Sequence, residues 1–599
     1  MRLKYICVAF LAISSLSSCF DLDKSPEGVL STVNPFTSLG EMNGYLDQFY
    51  ESGVKVQEFN SWGGGGIAGI DMNSDNMTSG AVNTRLNGGL TLANANKLTY
   101  YTDIRNVNFF LNNLNFKDTN AAAYKQCVGE VYYFRAWFYL FKNYGNIAWL
   151  DHTLAPDENE MNLPQEGRIA MVDHILSDLD KAIDLLSLQN NAATMRVHKD
   201  VARAFKSEVA LYEATWEKYH QAKNDAFYDK TVTAAKIKDY LEQCVAACKA
   251  IVDRGVWRIY NTGNPLNDYR QMFQTEDLSS NSEVMWFKKY DGSNVGNSVD
   301  RYLNQGGGSS GVTASLVDDY LTRTGNPFVG AAVLAAKATF GDELSPTLRD
   351  PRLSQTVCMP GQILRPDQGP YVVPPLNGSG YHKNETGYSL LKYVQIDYTG
   401  SLDQEGKGST PAIQYRYADV LLDYAEALAE LDGNAHANEI ITILQPLRDR
   451  VGMPAMDFDR EYNTSVDYPF RHLNKYIQAV RRERRVEQAC EGRRLDDIFR
   501  WAAAEELIVG QRAHGALFVG SNLEHHAKYG SSLVYDRPTG NNLYLSGQPG
   551  DTHRYILPVN PVGYETGWKF NPNRDYLLPS QSRMLSLTKG LWKQNPGWE

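Results

Sequence analysis

Residues 480–501 (VRRERRVEQACEGRRLDDIFRW) constrain the fold of this 599-residue chain more than any other stretch. They contain seven arginines, five acidic residues and no lysine. Lysine is common on solvated helix faces, whereas arginine forms planar, two-pronged pairs with carboxylates at packed positions. Glu483, Glu487 and Glu491 recur every four residues and therefore share one helical face. The stretch predicts a packed arginine–carboxylate helix hairpin.

Arg484 and Arg494 lie within helical reach of Glu487 and Glu491, so these glutamates are candidate partners. One alternative is a solvated charged helix. A second is a nucleic-acid site, but the interspersed acids leave a net charge of only +2 in this stretch. The chain as a whole carries −11, which argues against nucleic acid and anionic membrane surfaces as partners.

The N-terminus reads as a lipoprotein signal peptide spanning residues 1–18. Arg2 and Lys4 precede a short apolar run that ends in Leu16-Ser17-Ser18-Cys19. This string matches the bacterial lipobox, in which the cysteine sulfur receives a diacylglyceryl group. Cys19 is therefore the predicted lipidation site, and residues 19–37 are the predicted tether. The alternative is an ordinary secretory signal with an incidental cysteine, which would release the protein into the periplasm.

The other cysteines are expected to be buried core residues. After Cys7 and Cys19, an odd number remains and no CxxC motif occurs, which argues against a disulfide framework and a zinc site. Cys244 and Cys248 are spaced by four residues in an apolar helix.

Amphipathic periodicity predicts a mostly α-helical protein. The predicted helices cover residues 38–50, 104–114, 121–144, 169–183, 201–219, 237–251, 413–431 and 439–450. Their lengths and short links suggest stacked antiparallel pairs, although no clean repeat period is visible. We expect a helical scaffold mainly in residues 99–255 and 412–504.

Between and after these helices, helical periodicity mostly fails. Residues 256–411 and 505–599 form the predicted loop-rich portion, including a flexible loop at 305–311 (QGGGSSG). Residues 60–81 are a predicted loop because four consecutive glycines follow Trp62. We expect residues 38–599 to form one domain.

Five stretches resemble the SusD/RagB family of outer-membrane nutrient-binding lipoproteins of Bacteroidetes. These are the lipobox at Cys19 and residues 133–150 (YFRAWFYLFKNYGNIAWL), 201–212 (VARAFKSEVALY), 415–430 (YRYADVLLDYAEALAE) and 481–501. The tail, with Tyr576-Leu577-Leu578-Pro579 and Asn595-Pro596-Gly597-Trp598, also resembles the family's C-terminal signature.

The resemblance implies a tetratricopeptide-like helix-pair scaffold with a loop-rich ligand-binding portion. It also implies a partner, a SusC-like TonB-dependent outer-membrane transporter. Asp21 and Asp23 resemble the acidic residues that follow the lipidated cysteine in surface-exported lipoproteins, so a lipid-anchored, cell-surface location is expected. Phe20 departs from that pattern and leaves retention in the inner leaflet as an alternative.

The shared motifs belong to the scaffold, whereas the family's ligand contacts lie in variable loops, so no binding residue can be transferred by motif. Candidate binding residues are therefore chosen by their chemistry. Sugars stack their C–H faces on aromatic rings and bond their hydroxyls to polar side chains. With 36 Tyr, 10 Trp and 22 Phe, the chain has aromatic residues beyond the needs of a core. The predicted glycan-binding candidates are loop aromatics beside polar residues, namely Trp62 with Asn60, Asp71 and Asp75; Trp286 with Tyr290; and Tyr302. For each, the alternative is an aromatic packed on its own scaffold.

Neither a metal nor a catalytic site is predicted. Asp71, Asn73 and Asp75 imitate the opening of a calcium loop, but Asn76 and Val82 occupy the positions that require Gly and Glu, so a polar turn is favoured. No HExxH, GxSxG, Walker or GxGxxG motif supports catalysis. The prediction is a non-enzymatic surface lipoprotein, without cofactor, that captures an oligosaccharide or polysaccharide for the transporter. The alternatives are peptide or other nutrient capture on the same scaffold and, more remotely, a glycan-active enzyme.

Overall fold

The computed structural model describes residues 34–59, 65–95, 101–140, 147–154, 162–395, 404–580 and 582–599. Within these ranges the protein is mostly α-helical, as predicted. The helices are α1 (Leu39–Ser52), α2 (Gly66–Ile70), α3 (Tyr101–Asn112), α4 (Ala122–Tyr139), α5 (Arg168–Leu185), α6 (Lys199–Lys223), α7 (Ala234–Val252), α8 (Asp268–Gln274), α9 (Val299–Leu303), α10 (Ala314–Asp319), α11 (Ala331–Lys337), α12 (Pro351–Thr356), α13 (Tyr417–Asp432), α14 (Ala437–Val451), α15 (Lys475–Glu487), α16 (Arg494–Arg500), α17 (Ala504–Leu507) and α18 (Ser582–Leu587).

The strands are short and form three small antiparallel sheets. They are β1 (Met77–Ser79), β2 (Val284–Lys288), β3 (Ser310–Val312), β4 (Ala412–Arg416), β5 (Leu517–Val519), β6 (Tyr544–Leu545) and β7 (Arg554–Leu557). β1 pairs with β3, β2 pairs with β4, and the third sheet has the order β5-β7-β6. Each of the first two sheets therefore joins segments that are far apart in the chain.

The long helices pack on their neighbours in chain order, which is the scaffold that the periodicity predicted. α4 packs on α5, α5 on α6, α6 on α7, and α7 on α13, which in turn packs on α14 and α15. Their apolar stripes form one core that includes Phe134, Phe138, Phe205 and Leu421. Helix α4 is described to Tyr139, and the predicted cap at Gly145 lies outside the described residues.

One predicted scaffold helix begins later than expected. Residues 412–416 are strand β4, and helix α13 begins at Tyr417. The prediction of helix from residue 413 is wrong because β4 pairs with β2, which a local pattern does not reveal. Arg416 N then donates to Asp419 Oδ2 (3.0 Å), and this bond caps the first turn of α13.

Two predicted loops are more ordered than expected. Residues 65–81 contain α2, a 3₁₀ turn at Asp71–Asn73 and β1 rather than a continuous loop. The prediction of a flexible loop at 305–311 is also wrong, because its end is β3, which pairs with β1. A Cβ on Gly307 would lie 2.6 Å from the carbonyl carbon of His382, so this glycine permits a close backbone crossing.

Residues 480–501 form the predicted packed hairpin, since every residue of the described stretch from Ile477 to Glu487 is buried. Glu487 accepts hydrogen bonds from Arg416 (2.7 Å), Arg450 (2.7 Å) and Arg352 (2.9 Å). Burial raises the pKa of Glu487, but the three guanidinium groups outweigh it and hold that pKa well below its usual range. A solvated helix is therefore excluded.

The partners of this hairpin, however, are not the predicted ones. Arg484 pairs with Asp423 (2.7 Å) and Asp497 (3.0 Å), and Arg494 pairs with Asp75 (2.7 Å). Neither arginine binds Glu487 or Glu491 in the described ion pairs. Asp497 belongs to the hairpin, whereas Asp423 and Asp75 come from distant segments, because the hairpin is buried among them.

The cysteines in the described residues are buried, as expected. Cys244 and Cys248 belong to the scaffold core, and Cys358 and Cys490 belong to a second core beneath the loop-rich portion. A third apolar cluster joins the end of α6 to the C-terminal tail through Trp216, Phe499 and Tyr576.

Candidate ligand-binding cleft

A cleft of about 1050 Å³ opens where the hairpin meets the loop-rich portion. Its lining includes α10, the segment leading into α11, and residues from 463–470 and 506–514. Arg482, Arg485 and Arg494 of the hairpin line its floor. Residues 480–501, which tie the scaffold together, therefore also contribute to the floor of the cleft.

The floor is held by an ion-pair network. Arg494 binds Asp75 with both prongs, Nε to Oδ1 at 2.7 Å and Nη2 to Oδ2 at 2.9 Å. Arg485 reaches Asp75 Oδ2 at 3.0 Å and Asp319 Oδ2 at 3.1 Å. Burial raises the pKa of Asp75, but the two arginines overcome it and lower that pKa to about 2. The floor is thus charged and rigid at neutral pH.

One wall presents Tyr468 above this floor. Its hydroxyl donates to Asp319 Oδ1 (3.3 Å), and the guanidinium of Arg482 lies 5.2 Å from the ring centroid. Burial raises the pKa of Tyr468 to about 12, so the phenol stays protonated. The ring is partly exposed to the cleft. Asp319 holds the hydroxyl of Tyr468, and Arg482 lies against its ring, so the side chain is fixed in position.

The lining also includes a stacked pair of aromatic rings. His514 stacks on Tyr555 with centroids 5.9 Å apart and planes inclined by 12°. Lys337 Nζ lies 5.3 Å from the Tyr555 ring and pairs with Asp318 at 2.8 Å. Burial lowers the pKa of His514, and the nearby cation Arg512 lowers it further. The imidazole is therefore neutral at pH 7 and acts as a flat apolar face.

Three polar groups of the cleft retain unused hydrogen-bonding capacity. Within the described residues, Arg494 Nη1 and Glu506 Oε2 are buried atoms without a hydrogen-bond partner. Arg512 lines the cleft and forms no ion pair or side-chain hydrogen bond with the part of the chain that the structure describes. Buried polar atoms are almost always satisfied by protein, water or ligand. Arg512 therefore offers hydrogen-bond donors to the cleft, whereas the two buried atoms are enclosed by the protein.

The predicted site residues fall into three groups. Asn60 and Trp62 lie outside the described residues, so their role stays a prediction. Asp75 lines the cleft, but both of its oxygens bind arginines. Asp71 is 1% exposed and accepts a hydrogen bond from Asn76 (3.0 Å), so its expected place on a ligand surface is wrong.

The predicted platforms at Trp286, Tyr290 and Tyr302 are also wrong, because all three side chains are buried. Trp286 is 1% exposed, lies in β2 and donates from Nε1 to Met195 O (3.0 Å). The Tyr290 hydroxyl accepts from Gln57 N (3.0 Å), and the Tyr302 hydroxyl donates to Glu405 (2.5 Å). Each is an aromatic residue packed on its own scaffold, which was the alternative to a glycan-binding role in the sequence analysis.

The aromatics of the cleft were not selected from the sequence. Tyr468 follows Asp467 and precedes Pro469, so it meets the same criterion of a loop aromatic beside a polar residue. Tyr555 lies in strand β7, whose pairing is visible only in three dimensions. The sequence therefore contained a signal that could have selected Tyr468, but none that could have selected Tyr555.

No group of three or more His, Cys, Asp or Glu side chains in the described ranges is arranged to hold a metal ion. Both carboxylate oxygens of Asp75 pair with arginines. Among the helices that the structure describes, none has the length and apolar character needed to cross a membrane.

Fold and cleft together define a class of protein, a helical scaffold whose loop-rich portion carries a polar and aromatic ligand cleft. Comparison with models of known protein families assigns the chain to such a class. Residues 266–598, more than half of the chain, match the model described as the SusD family. Residues 22–211 match a model described as starch-binding associating with outer membrane. The chain belongs to the SusD family.

Solved structures share this fold. A SusD-like protein from Bacteroides fragilis NCTC 9343 is 21% identical, with a TM-score of 0.67 over 94% of this chain and 97% of that one. A SusD-like carbohydrate binding protein from the same organism is 22% identical, with a TM-score of 0.67 over 93% and 99%. Surface glycan-binding protein A from Bacteroides fluxus is 15% identical, with a TM-score of 0.53 over 94% and 100%. A search of curated proteins gives no match.

Proposed function

We propose that this protein is a surface lipoprotein that binds a glycan in the cleft and passes it to a SusC-like TonB-dependent transporter without chemical change. The observation that carries the proposal is the cleft itself. Its lining combines the partly exposed rings of Tyr468 and Tyr555 with Arg512, whose guanidinium forms no ion pair with the described residues. Sugars need this combination, because they stack on rings and hydrogen-bond through their hydroxyls.

Family membership supports the same conclusion. The family model over the N-terminal part is described as starch-binding associating with outer membrane, and one matching structure is a carbohydrate binding protein. Lipidation at Cys19, exposure on the cell surface, the transporter partner and a single domain over residues 38–599 are parts of this proposal. They fit the lipobox and the order of the motifs along the chain.

Affinity electrophoresis of the full chain, purified in a detergent without a sugar headgroup, tests glycan binding directly. Native gels would contain neutral polysaccharides (amylopectin, galactomannan, β-glucan) or acidic ones (polygalacturonate, alginate). Retardation in at least one gel, and no release of reducing ends from that polysaccharide on long incubation, is the expected result. Migration unchanged in every gel contradicts the proposal, and steady product release supports the enzyme alternative.

A second candidate function is peptide capture. It is favoured by one observation, the exposed aliphatic side chains of Val329 and Leu334 on the cleft. Such side chains fit the apolar residues of a peptide better than the hydroxyls of a sugar. A calorimetric signal with a mixed oligopeptide digest, together with no retardation by any polysaccharide, would select this function.

A further inference from the structure

One part of the cleft lining is aliphatic and exposed to solvent. It belongs to residues 327–334 (PFVGAAVL), which lead into α11 and form its first turn. Val329, Val333 and Leu334 of this segment line the cleft, and we call these three residues the aliphatic shelf. Val329 is 45% exposed and Leu334 is 40% exposed. Neighbouring aliphatic side chains that stay exposed inside a cleft indicate a contact site for an apolar group.

Contacts on both sides of the aliphatic shelf hold it in place. The guanidinium of Arg349 lies 3.6 Å from the ring centroid of Phe328, the residue before Val329. At the other end of α11, the buried Lys337 pairs with Asp318 of α10 at 2.8 Å. A surface that is already ordered loses little conformational entropy when a ligand binds. The shelf is therefore prepared to receive a ligand group.

The aliphatic shelf lies in the same part of the cleft as one of its aromatic rings. Leu334 precedes Lys337 by three residues in α11, so the two residues are about one helical turn apart. Lys337 Nζ in turn lies 5.3 Å from the ring centroid of Tyr555. Leu334 and Tyr555 both line the cleft. A single ligand can therefore contact the aromatic ring with one group and the shelf with another.

An unmodified sugar matches an aliphatic surface poorly. Its hydroxyls would lose water there without gaining a hydrogen-bond partner, which costs free energy. An O-acetyl ester removes the hydroxyl donor and presents a methyl group in its place. Transfer of one methyl group from water to an apolar contact corresponds to about a fourfold gain in affinity. An acylated sugar therefore fits a lining that combines aromatic rings with aliphatic side chains.

We propose that the cleft prefers glycans that carry O-acyl esters, with acetyl methyl groups on the aliphatic shelf and a sugar ring stacked on Tyr555. This inference rests on the proposed function and specifies its ligand class. Val329 and Leu334 are specificity-determining residues in it. Because both side chains are largely exposed, they contribute to the choice of ligand more than to the stability of the fold.

The most direct test compares oligosaccharides that differ only in their esters. Short oligosaccharides from O-acetylated glucomannan and O-acetylated xylan would be assayed by calorimetry before and after mild alkali, which removes the esters and leaves the sugar chain intact. We expect the acetylated form of at least one of them to bind about fourfold or more tightly than its deacetylated form. The difference should persist at high salt, because an apolar contact is not screened. Equal or weaker binding of both acetylated forms overturns the inference.

Two variants of the aliphatic shelf test its role. Leu334→Gln replaces the aliphatic side chain with an amide of similar length, so the ratio of acetylated to deacetylated affinity should fall by about threefold. Val329→Thr keeps the branched shape at a second position and should lower the same ratio. Leu188→Gln is the matched control, since Leu188 is 51% exposed after α5 and lies outside the cleft lining, and it should leave the ratio unchanged.

The outcomes separate this inference from the proposed function. An unchanged ratio in both shelf variants, when they melt like the wild type, overturns the role of the shelf. Binding of ester-free polysaccharides, with no affinity for either acetylated glycan, overturns the preference and leaves glycan capture intact. Binding of an oligopeptide digest, with no affinity for any glycan, removes both proposals.

Discussion

Arg494 and Asp75 form a two-pronged ion pair across 419 residues of sequence, with Nε–Oδ1 and Nη2–Oδ2 distances of 2.7 and 2.9 Å. The pair ties the turn before β1 to the hairpin. It also forms part of the cleft floor, because both residues line that cavity. One contact therefore serves the scaffold and the candidate site together.

The carboxylate of Glu487 is expected to be essential for stability. Glu487→Gln would leave Arg416, Arg450 and Arg352 without a shared counter-charge in a fully buried setting. Removing one partner of a buried pair typically costs about 3–5 kcal/mol, because the remaining charge stays desolvated. Urea unfolding followed by circular dichroism measures this loss. The exposed Glu242→Gln change on α7 is the control and should alter stability by no more than about 0.5 kcal/mol. Equal stability of the two variants would contradict the expectation.

The buried carboxyl of Glu343 should make stability depend on pH near neutrality. Burial raises its pKa from 4.5 to about 7, and Glu343 Oε2 has no hydrogen-bond partner among the described residues. Because the folded pKa lies above the unfolded one, the stabilisation is complete below about pH 4.5 and is lost as pH rises through about 7. The whole effect amounts to about 3 kcal/mol.

Glu343→Gln removes this titration. We expect the variant to gain stability relative to the wild type between pH 5 and pH 8. The difference between the two stability curves isolates Glu343, since other raised groups such as Glu217 titrate in both proteins. Parallel curves across this pH range would show that Glu343 does not titrate as described.

The aromatic rings of the cleft should dominate glycan affinity. Tyr468→Ala and Tyr555→Ala would each remove a stacking face worth about 0.5–1.5 kcal/mol, up to about a tenfold change in Kd. Tyr468→Phe keeps the ring and loses only the hydrogen bond to Asp319, so it should bind within about threefold of the wild type. Calorimetry with a polysaccharide that retards the protein in gels is the measurement. Full affinity in both alanine variants would exclude this cleft.

The fold was largely predictable, because helical periodicity is a local property. The long scaffold helices appear where apolar residues recur at helical spacing, and the missing lysines of residues 480–501 predicted packing correctly. The partners of its arginines were not predictable. Arg494 binds Asp75 and Arg484 binds Asp423, and no local spacing links such distant positions.

The candidate site was harder to predict for the same reason. Trp286 and Tyr302 stand in Gly- and Asn-rich sequence that resembles an exposed loop, but β2 pairs with β4 and buries the first, and Glu405 covers the hydroxyl of the second. The cleft collects side chains from β1, α10, α15, α16 and the C-terminal tail. Only tertiary structure brings these segments together.

The lipid anchor is testable without any ligand. Cys19→Ala removes the sulfur that would carry the diacylglyceryl group, so labelled fatty acid should no longer be incorporated and the protein should leave the membrane fraction. Cys7→Ala, within the predicted signal peptide, is the control and should be labelled like the wild type. Labelling of Cys19→Ala would refute the lipobox assignment.

The crystal structure of the full-length protein soaked with an oligosaccharide from a polysaccharide that it binds tests the central claim most directly. We predict sugar in the cleft, stacked on Tyr468 or Tyr555. Sugar bound elsewhere, for example against Trp62 with the cleft empty, would contradict this account of the site.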